Sequence, residues 1–95
     1  MPMIRFKQYL PGYFDPINIE RREICVLTPE EFFADDIIAR WASYPDFHRW
    51  SFSPQPGGYP PHLMAELDGG RRWRVVGYVL DGLKKLNLPE WSAPE

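Results

Sequence analysis

The sequence predicts an α+β domain, in which a small antiparallel sheet of four or five strands packs with one face against one main helix. Two apolar-alternating segments flank residues 68–70 (DGG), which is typical of a β-hairpin. Residues 28–31 (TPEE) combine a capping threonine, a proline at the first helical position and a capping-box glutamate. The 95 residues are enough for one modest core, so residues 1–95 are predicted to form a single domain.

The predicted elements follow from periodicity and from the residues that interrupt it. Their order is strand 3–10, strand 22–27, helix 29–43, strand 49–53, strand 62–67, strand 71–80 and a short C-terminal helical turn. Residues 54–61 hold four prolines and two glycines, which predicts a loop, and residues 92–95 are expected to be a frayed tail.

The hairpin is predicted to have a three-residue loop. A two-residue loop would place Leu63 and Ala65 opposite arginines, whereas a three-residue loop keeps the apolar residues together. It also gives Gly70 a left-handed conformation, which glycine adopts without strain. The predicted pairs are Leu67–Arg71, Ala65–Trp73 and Leu63–Val75. One face would then hold Leu63, Ala65, Leu67, Trp73, Val75 and Val79.

The main helix is predicted to bury one stripe. Phe33, Ile37 and Trp41 recur at intervals of four, and Pro45 ends the pattern. With the strands, this stripe predicts a core of Ile4, Phe6, Ile24, Val26, Phe33, Ile37, Trp41, Leu63, Ala65, Val75 and Val79.

Composition predicts a protein of the cytoplasm. The single cysteine, Cys25, excludes an internal disulfide, and its apolar neighbours predict a buried, unreactive thiol. No apolar run approaches the ~20 residues needed to span a bilayer. The net charge of −2 is unevenly distributed, since residues 28–68 carry seven acids against two arginines and residues 69–85 carry five basic residues against one acid.

Enzymatic function is the least supported class. The candidate nitrogen and sulfur ligands are His48, His62 and Cys25, and they form no CxxC, HxxxH or HExxH pattern. No glycine-rich phosphate loop is present, and acid pairs in a helix's first half are accounted for by its dipole. The sequence therefore predicts no catalytic, cofactor-binding or metal-binding residue.

Protein binding is the leading functional hypothesis. Fifteen aromatic side chains are more than a small core readily buries, and tryptophan, tyrosine and arginine dominate interface hot spots. The predicted partner-binding residues are Arg49, Trp50, Tyr59, Arg72, Arg74 and Trp91. Such a module would act stoichiometrically, as an inhibitor, an adaptor or an assembly subunit. Its size suits a phage- or mobile-element-encoded inhibitor, and a homodimer is compatible with it.

Nucleic-acid binding is the alternative hypothesis. The hairpin arm Arg71–Arg74 carries three arginines around Trp73, a composition that can contact phosphates while bases stack on a ring. The net negative charge of the chain counts against this class, because non-specific binding to polyanions depends on positive charge.

Overall fold

The fold is a five-stranded antiparallel sheet with three short helices, seen in a computed structural model that describes residues 3–8 and 22–93. The strands are β1 (Ile4–Gln8), β2 (Arg22–Val26), β3 (Phe47–Ser53), β4 (His62–Leu67) and β5 (Arg72–Asp81). The helices are α1 (Pro29–Phe33), α2 (Asp36–Ala42) and α3 (Leu83–Leu86). The order across the sheet is β2-β1-β5-β4-β3. These observations confirm the α+β class and the antiparallel sheet.

Most predicted elements are present with shifted ends. β4 has the predicted bounds, β3 begins two residues early at Phe47, and β5 is displaced by one residue at each end. Residues 54–61 contain neither helix nor strand, as predicted, and α3 supplies the C-terminal helical turn. Two parts of these predictions, the end of the first strand at residues 9–10 and residues 94–95 of the tail, lie outside the described residues.

The predicted single helix 29–43 is wrong, because Asp35 divides it. Its Oδ2 atom accepts hydrogen bonds from the backbone N–H groups of Ile37 and Ile38, at 3.1 and 3.3 Å. An aspartate that caps a new helix competes with continuation of the preceding one. The predicted N-cap at Thr28 is confirmed, since its Oγ1 accepts from the Glu31 N–H at 3.2 Å.

The predicted three-residue loop and its register are also wrong. Leu67 pairs with Arg72, Glu66 with Trp73, Ala65 with Arg74 and Met64 with Val75, which leaves a four-residue loop at 68–71. A β-bulge at Val76 then realigns the strands, so that Leu63 pairs with Gly77. Gly70 has the predicted positive φ, +92°. The predicted face is therefore split, because Leu63, Ala65 and Leu67 are buried whereas Val75 is 39% exposed.

The core combines sheet and helix side chains. Seven predicted core residues are buried: Ile4, Phe6, Ile24, Trp41, Leu63, Ala65 and Val79. Three others are partly buried, namely Val26, Phe33 and Ile37, and Val75 is wrong. The break at Asp35 changes the helical phase, so that Phe32 is fully buried in place of Phe33 and its ring meets Phe6 edge-on at 5.4 Å. Ile38, Trp50, Val76 and Leu86 complete the cluster.

The predicted burial of Cys25 is wrong. β2 is an edge strand whose Ile24 faces the core, while Cys25 faces the other way and is exposed. An antiparallel edge strand buries one face only, so the alternate residue reaches solvent even when it is apolar. The Cys25 Sγ lies 3.1 Å from the Met3 Sδ.

Candidate functional site

The sheet has two faces with different surroundings. The core face holds Phe6, Leu63, Ala65 and Val79, which cluster with side chains from the helices. Residues directly opposite each other in an antiparallel pair share a face, and successive residues alternate between faces. The outer face is therefore defined by Arg5, Lys7, Arg49, Ser51, His62, Met64, Glu66, Trp73, Val75 and Tyr78.

An aromatic pair lies on the outer face near the hairpin. The rings of Trp73 and Trp91 are 5.3 Å apart and tilted by 54°. Trp91 belongs to the C-terminal arm, residues 87–93, which reaches the free edge of β3. There the Phe52 N–H donates to the Pro89 carbonyl at 3.1 Å, and the Trp91 N–H donates to the Phe52 carbonyl at 2.7 Å. These two bonds place a residue from the end of the chain against the hairpin.

Polar residues beside this pair are buried. Glu66, opposite Trp73, is almost fully buried, and its Oε2 accepts from the Arg49 Nε at 3.1 Å. Ser51 is fully buried, and its hydroxyl has no hydrogen-bond partner within residues 3–8 and 22–93. The outer face is thus covered locally, and Arg49 forms its charged border with about half of its side chain exposed.

A cleft lies at the other end of the outer face. Its volume is about 480 Å³, and its lining residues are Gln55, Pro56, Tyr59, Pro60, His62, Tyr78 and Leu80. The backbone turns at Gly57 and Gly58, both with positive φ, and the Val79 N–H donates to the Pro61 carbonyl at 2.9 Å. Tyr59, at its mouth, is 73% exposed. Along β4, His62 and Glu66 are four residues apart, so the cleft and the tryptophan pair are separated by about 13 Å.

The hairpin arginines lie on the opposite face from Trp73. Arg72 pairs with Leu67 and Arg74 with Ala65, both core-face residues. The Arg72 guanidinium forms an ion pair with Asp46, and the Arg74 Nη1 donates to the Trp73 carbonyl at 3.2 Å. The arginines lie on this face because of the bulge at Val76. The extra residue lets Arg72 and Arg74 pair with Leu67 and Ala65 while Val79 stays in the core.

The structure separates the six predicted partner-binding residues into three groups. Arg49 is on the outer face, Tyr59 lines its cleft, and Trp91 packs on Trp73. Arg72 and Arg74 lie on the other face at the hairpin. Trp50 is 9% exposed in the core, its ring 5.2 Å from that of Phe47.

Sequence reasoning missed Val75 as an outer-face residue. The incorrect register placed Val75 in the core, and it placed Trp73 on the same face as Leu63 and Ala65. A register that allowed for the bulge would have placed both on the outer face.

The candidate metal ligands are not brought together. Within residues 3–8 and 22–93, no three His, Cys, Asp or Glu side chains form a group that could hold a metal ion. His48 and His62 lie near opposite ends of the β3–β4 pair, because Phe47 is opposite Leu67 and Ser53 is opposite His62. Among the described helices, none is long and apolar enough to cross a membrane.

The comparisons with known proteins were negative: no protein-family model, no curated protein and no solved structure matches the chain.

Proposed function

We propose that the protein is a non-enzymatic module that binds a protein partner stoichiometrically through its outer face, between Tyr59 and the Trp73–Trp91 pair. The observation that carries this proposal is the 73% exposure of Tyr59 beside an apolar cleft. Val75, another of the exposed large hydrophobic residues, lies on the same face. Apolar surface gathered on one face, with arginine at its border, is typical of interaction sites.

The physical basis is the area that these rings can still bury. An aromatic side chain can bury ~150–250 Å², and burial of apolar area contributes roughly 25 cal/mol per Å². Tyr59 has most of its surface available, whereas the tryptophans have already buried part of theirs against each other. Tyr59 is therefore the anchor that we expect to contribute most affinity, and Arg49 to act mainly on association rate.

Affinity capture with the full chain tests the proposal. The wild-type protein should retain one protein partner at a fixed stoichiometry, and nuclease treatment should not release it. Tyr59→Ala should weaken binding of that partner at least ~30-fold, the effect of losing a central aromatic hot spot. Tyr59→Phe keeps the ring and should bind within ~threefold of wild type.

Tyr44→Ala is the matched control, because Tyr44 is also exposed but its ring packs on Trp41 of α2. This variant should bind like wild type. Equal weakening by Tyr44→Ala and Tyr59→Ala would contradict the outer face as the binding surface. Retention of nucleic acid alone would contradict the class of partner.

Nucleic-acid binding through Arg71–Arg74 is the alternative proposal, and one observation favours it. Arg71 and Arg74 are exposed, and neither has a carboxylate partner in the part of the chain that the structure describes. Two observations weaken it, since Arg72 is neutralised by Asp46 and Trp73 lies on the other face. Steeply salt-dependent binding to an oligonucleotide, lost in Arg71→Gln/Arg74→Gln, would support this alternative.

A further inference from the structure

We propose that the C-terminal arm is a replaceable occupant of the β3 edge, and that the partner docks there by strand addition. The partner would supply an extended segment whose aromatic side chain takes the place of Trp91 on Trp73. The inference rests on the proposed function and names how the partner is recognised. Addition of a strand to an exposed sheet edge is an established mode of peptide recognition.

The end of the arm is held to β3 by few backbone hydrogen bonds. One residue of β3, Phe52, bonds with it, through the Pro89 carbonyl and the Trp91 N–H. In the described part of the chain, no other backbone bond joins residues 87–93 to β3. The Trp91 ring packs on Trp73, and Leu88 at the start of the arm packs against the core cluster.

The edge of β3 has more backbone hydrogen-bonding groups than the arm can pair with. Trp50 and Phe52 are two residues apart in an unbroken register, so the N–H and C=O groups of both point away from β4. In a parallel ladder continued from Phe52, the Trp50 carbonyl would accept from the N–H of residue 89. That residue is Pro89, which has no N–H. A segment without proline at this position can therefore form a bond that the arm cannot form.

The end of the arm, residues 89–93, can leave without opening the core. Leu86, the last residue of α3, is buried in the core, and the chain then turns at Asn87 with a φ of +51°. Leu88 follows this turn and packs against the core cluster, so the replaceable part is residues 89–93. Its departure would uncover the side of the Trp73 ring on which Trp91 packs. The vacated surface therefore offers an aromatic ring and an edge carbonyl to the incoming segment.

These observations favour a foreign partner over a second copy of the chain. An arm donated by a second copy carries the same proline, so it forms the same two bonds while losing the entropy of association. A foreign segment with a donor opposite Trp50 forms one bond more and brings contacts of its own. The occupant that we propose is thus an extended strand of another protein that carries an aromatic residue and lacks the proline.

Peptide binding to full-length protein tests the inference. The probe is a labelled peptide of residues 87–93, and the recipients are wild type and Trp91→Ala, whose own arm has lost its ring. Trp91→Ala should bind the probe at least ~tenfold more tightly than wild type, because the attached arm competes at an effective concentration in the millimolar range. The Pro89→Val peptide should bind at least ~threefold more tightly than the unchanged peptide. The Trp91→Ala peptide should not bind.

Two outcomes of this experiment would overturn the inference. The first is equal affinity of wild type and Trp91→Ala for the probe, including no binding by either up to about 1 mM. The second is a wild-type dimer that Trp91→Ala abolishes, because the occupant would then be a second copy that exchanges its arm.

Native-state hydrogen exchange tests the same inference on the wild-type protein, without the Trp91→Ala variant. The Trp91 amide, bonded to the Phe52 carbonyl, should exchange at least ~tenfold faster than the most protected amides between β4 and β5. Equal protection would mean that the arm opens only when the whole domain unfolds, which contradicts a replaceable arm.

The two proposals fail separately. If a captured partner depends on Tyr59 while the probe fails to bind, the proposed function stands and strand addition is wrong. If the probe binds as expected while no protein partner is captured, the edge is replaceable and the proposed function is wrong.

Discussion

The two faces of the sheet are built from the same strands but are covered by different kinds of structure. On the core face, Phe6 and Leu63 are fully buried among side chains that include Phe32 and Ile38 of the helices. On the outer face, Val75 remains 39% exposed. The part of the core face that contacts the helices is therefore fully buried, and Arg72 and Arg74 are exposed at its hairpin end. The outer face is only partly covered.

The two faces differ because helices cover a sheet more completely than loops and arms do. A short helix presents several apolar side chains on one stripe, and α1 and α2 together supply Phe32, Ile38 and Trp41 to the core. The loop 54–61 and the C-terminal arm contain no helix, so neither presents a stripe of apolar side chains to the sheet. The core face accordingly holds the larger share of the folding free energy, and the outer face keeps aromatic surface for a partner.

The largest expected effect is on the core face. Phe32→Ala removes a fully buried ring that meets Phe6, and should lower the free energy of unfolding by ~3–5 kcal/mol. Phe33→Ala is the matched control, and it should have a smaller effect because Phe33 is only partly buried. Urea denaturation of both variants measures this. A larger loss for Phe33→Ala would mean that the helical phase after Thr28 is wrong.

The next effect tests the close approach of strands in the middle of the sheet. A Cβ atom at Gly77 would lie 2.2 Å from the Lys7 carbonyl oxygen and 2.5 Å from the Phe6 Cζ. Because the nearest atom is backbone, Gly77→Ala must separate β1 from β5, and should lower the free energy of unfolding by ~1–3 kcal/mol or more.

Gly69→Ala is its control, since a Cβ atom there meets nothing within 4 Å, although its φ is +63°. This variant should lose about 1 kcal/mol, because only the left-handed backbone opposes it. Thermal melts that rank Gly69→Ala as the more damaging change would contradict the β1–β5 register.

Local signals in the sequence predicted most elements of the fold. The bounds of β4, the Thr28 cap and the positive φ of Gly70 each depend on residues within a few positions of one another. Such local features are predicted correctly because the backbone conformations that they favour do not depend on residues far away in the sequence. The prediction of a single helix was wrong because Asp35, an acid that the helix dipole was taken to explain, is the N-cap of a second helix.

The candidate site was less predictable, because it depends on register and on long-range contacts. A register shift of one residue moves Trp73 to the other face of the sheet, and no local sequence pattern indicates the bulge at Val76. The meeting of Trp91 with Trp73 requires the chain to pass through α3 and back to the edge of β3. Tyr59 is exposed because a ring among prolines and glycines has little core to enter, and its role in binding stays a prediction.

A smaller effect tests the hairpin that separates the faces. Gly70 has a φ of +92°, so Gly70→Val places a β-branched residue in a strained conformation and should lower the free energy of unfolding by more than ~1 kcal/mol. Gly70→Asn should have a milder effect, because asparagine tolerates left-handed conformations better. An unchanged melting temperature for Gly70→Val would show that the loop 68–71 adopts another conformation.

The smallest expected effect concerns a single hydroxyl group on the outer face. Ser51 is fully buried, and its Oγ has no hydrogen-bond partner in the described ranges 3–8 and 22–93, so Ser51→Ala should leave stability unchanged or raise it by up to ~1 kcal/mol. Ser53→Ala is the control, because the Ser53 Oγ accepts from the Gln55 Nε2 at 3.3 Å and its loss should be mildly destabilising. Urea denaturation measures both. If Ser51→Ala is the more destabilising variant, its hydroxyl forms a hydrogen bond in solution, and the outer face beside Trp73 and Trp91 is less dry than the core face.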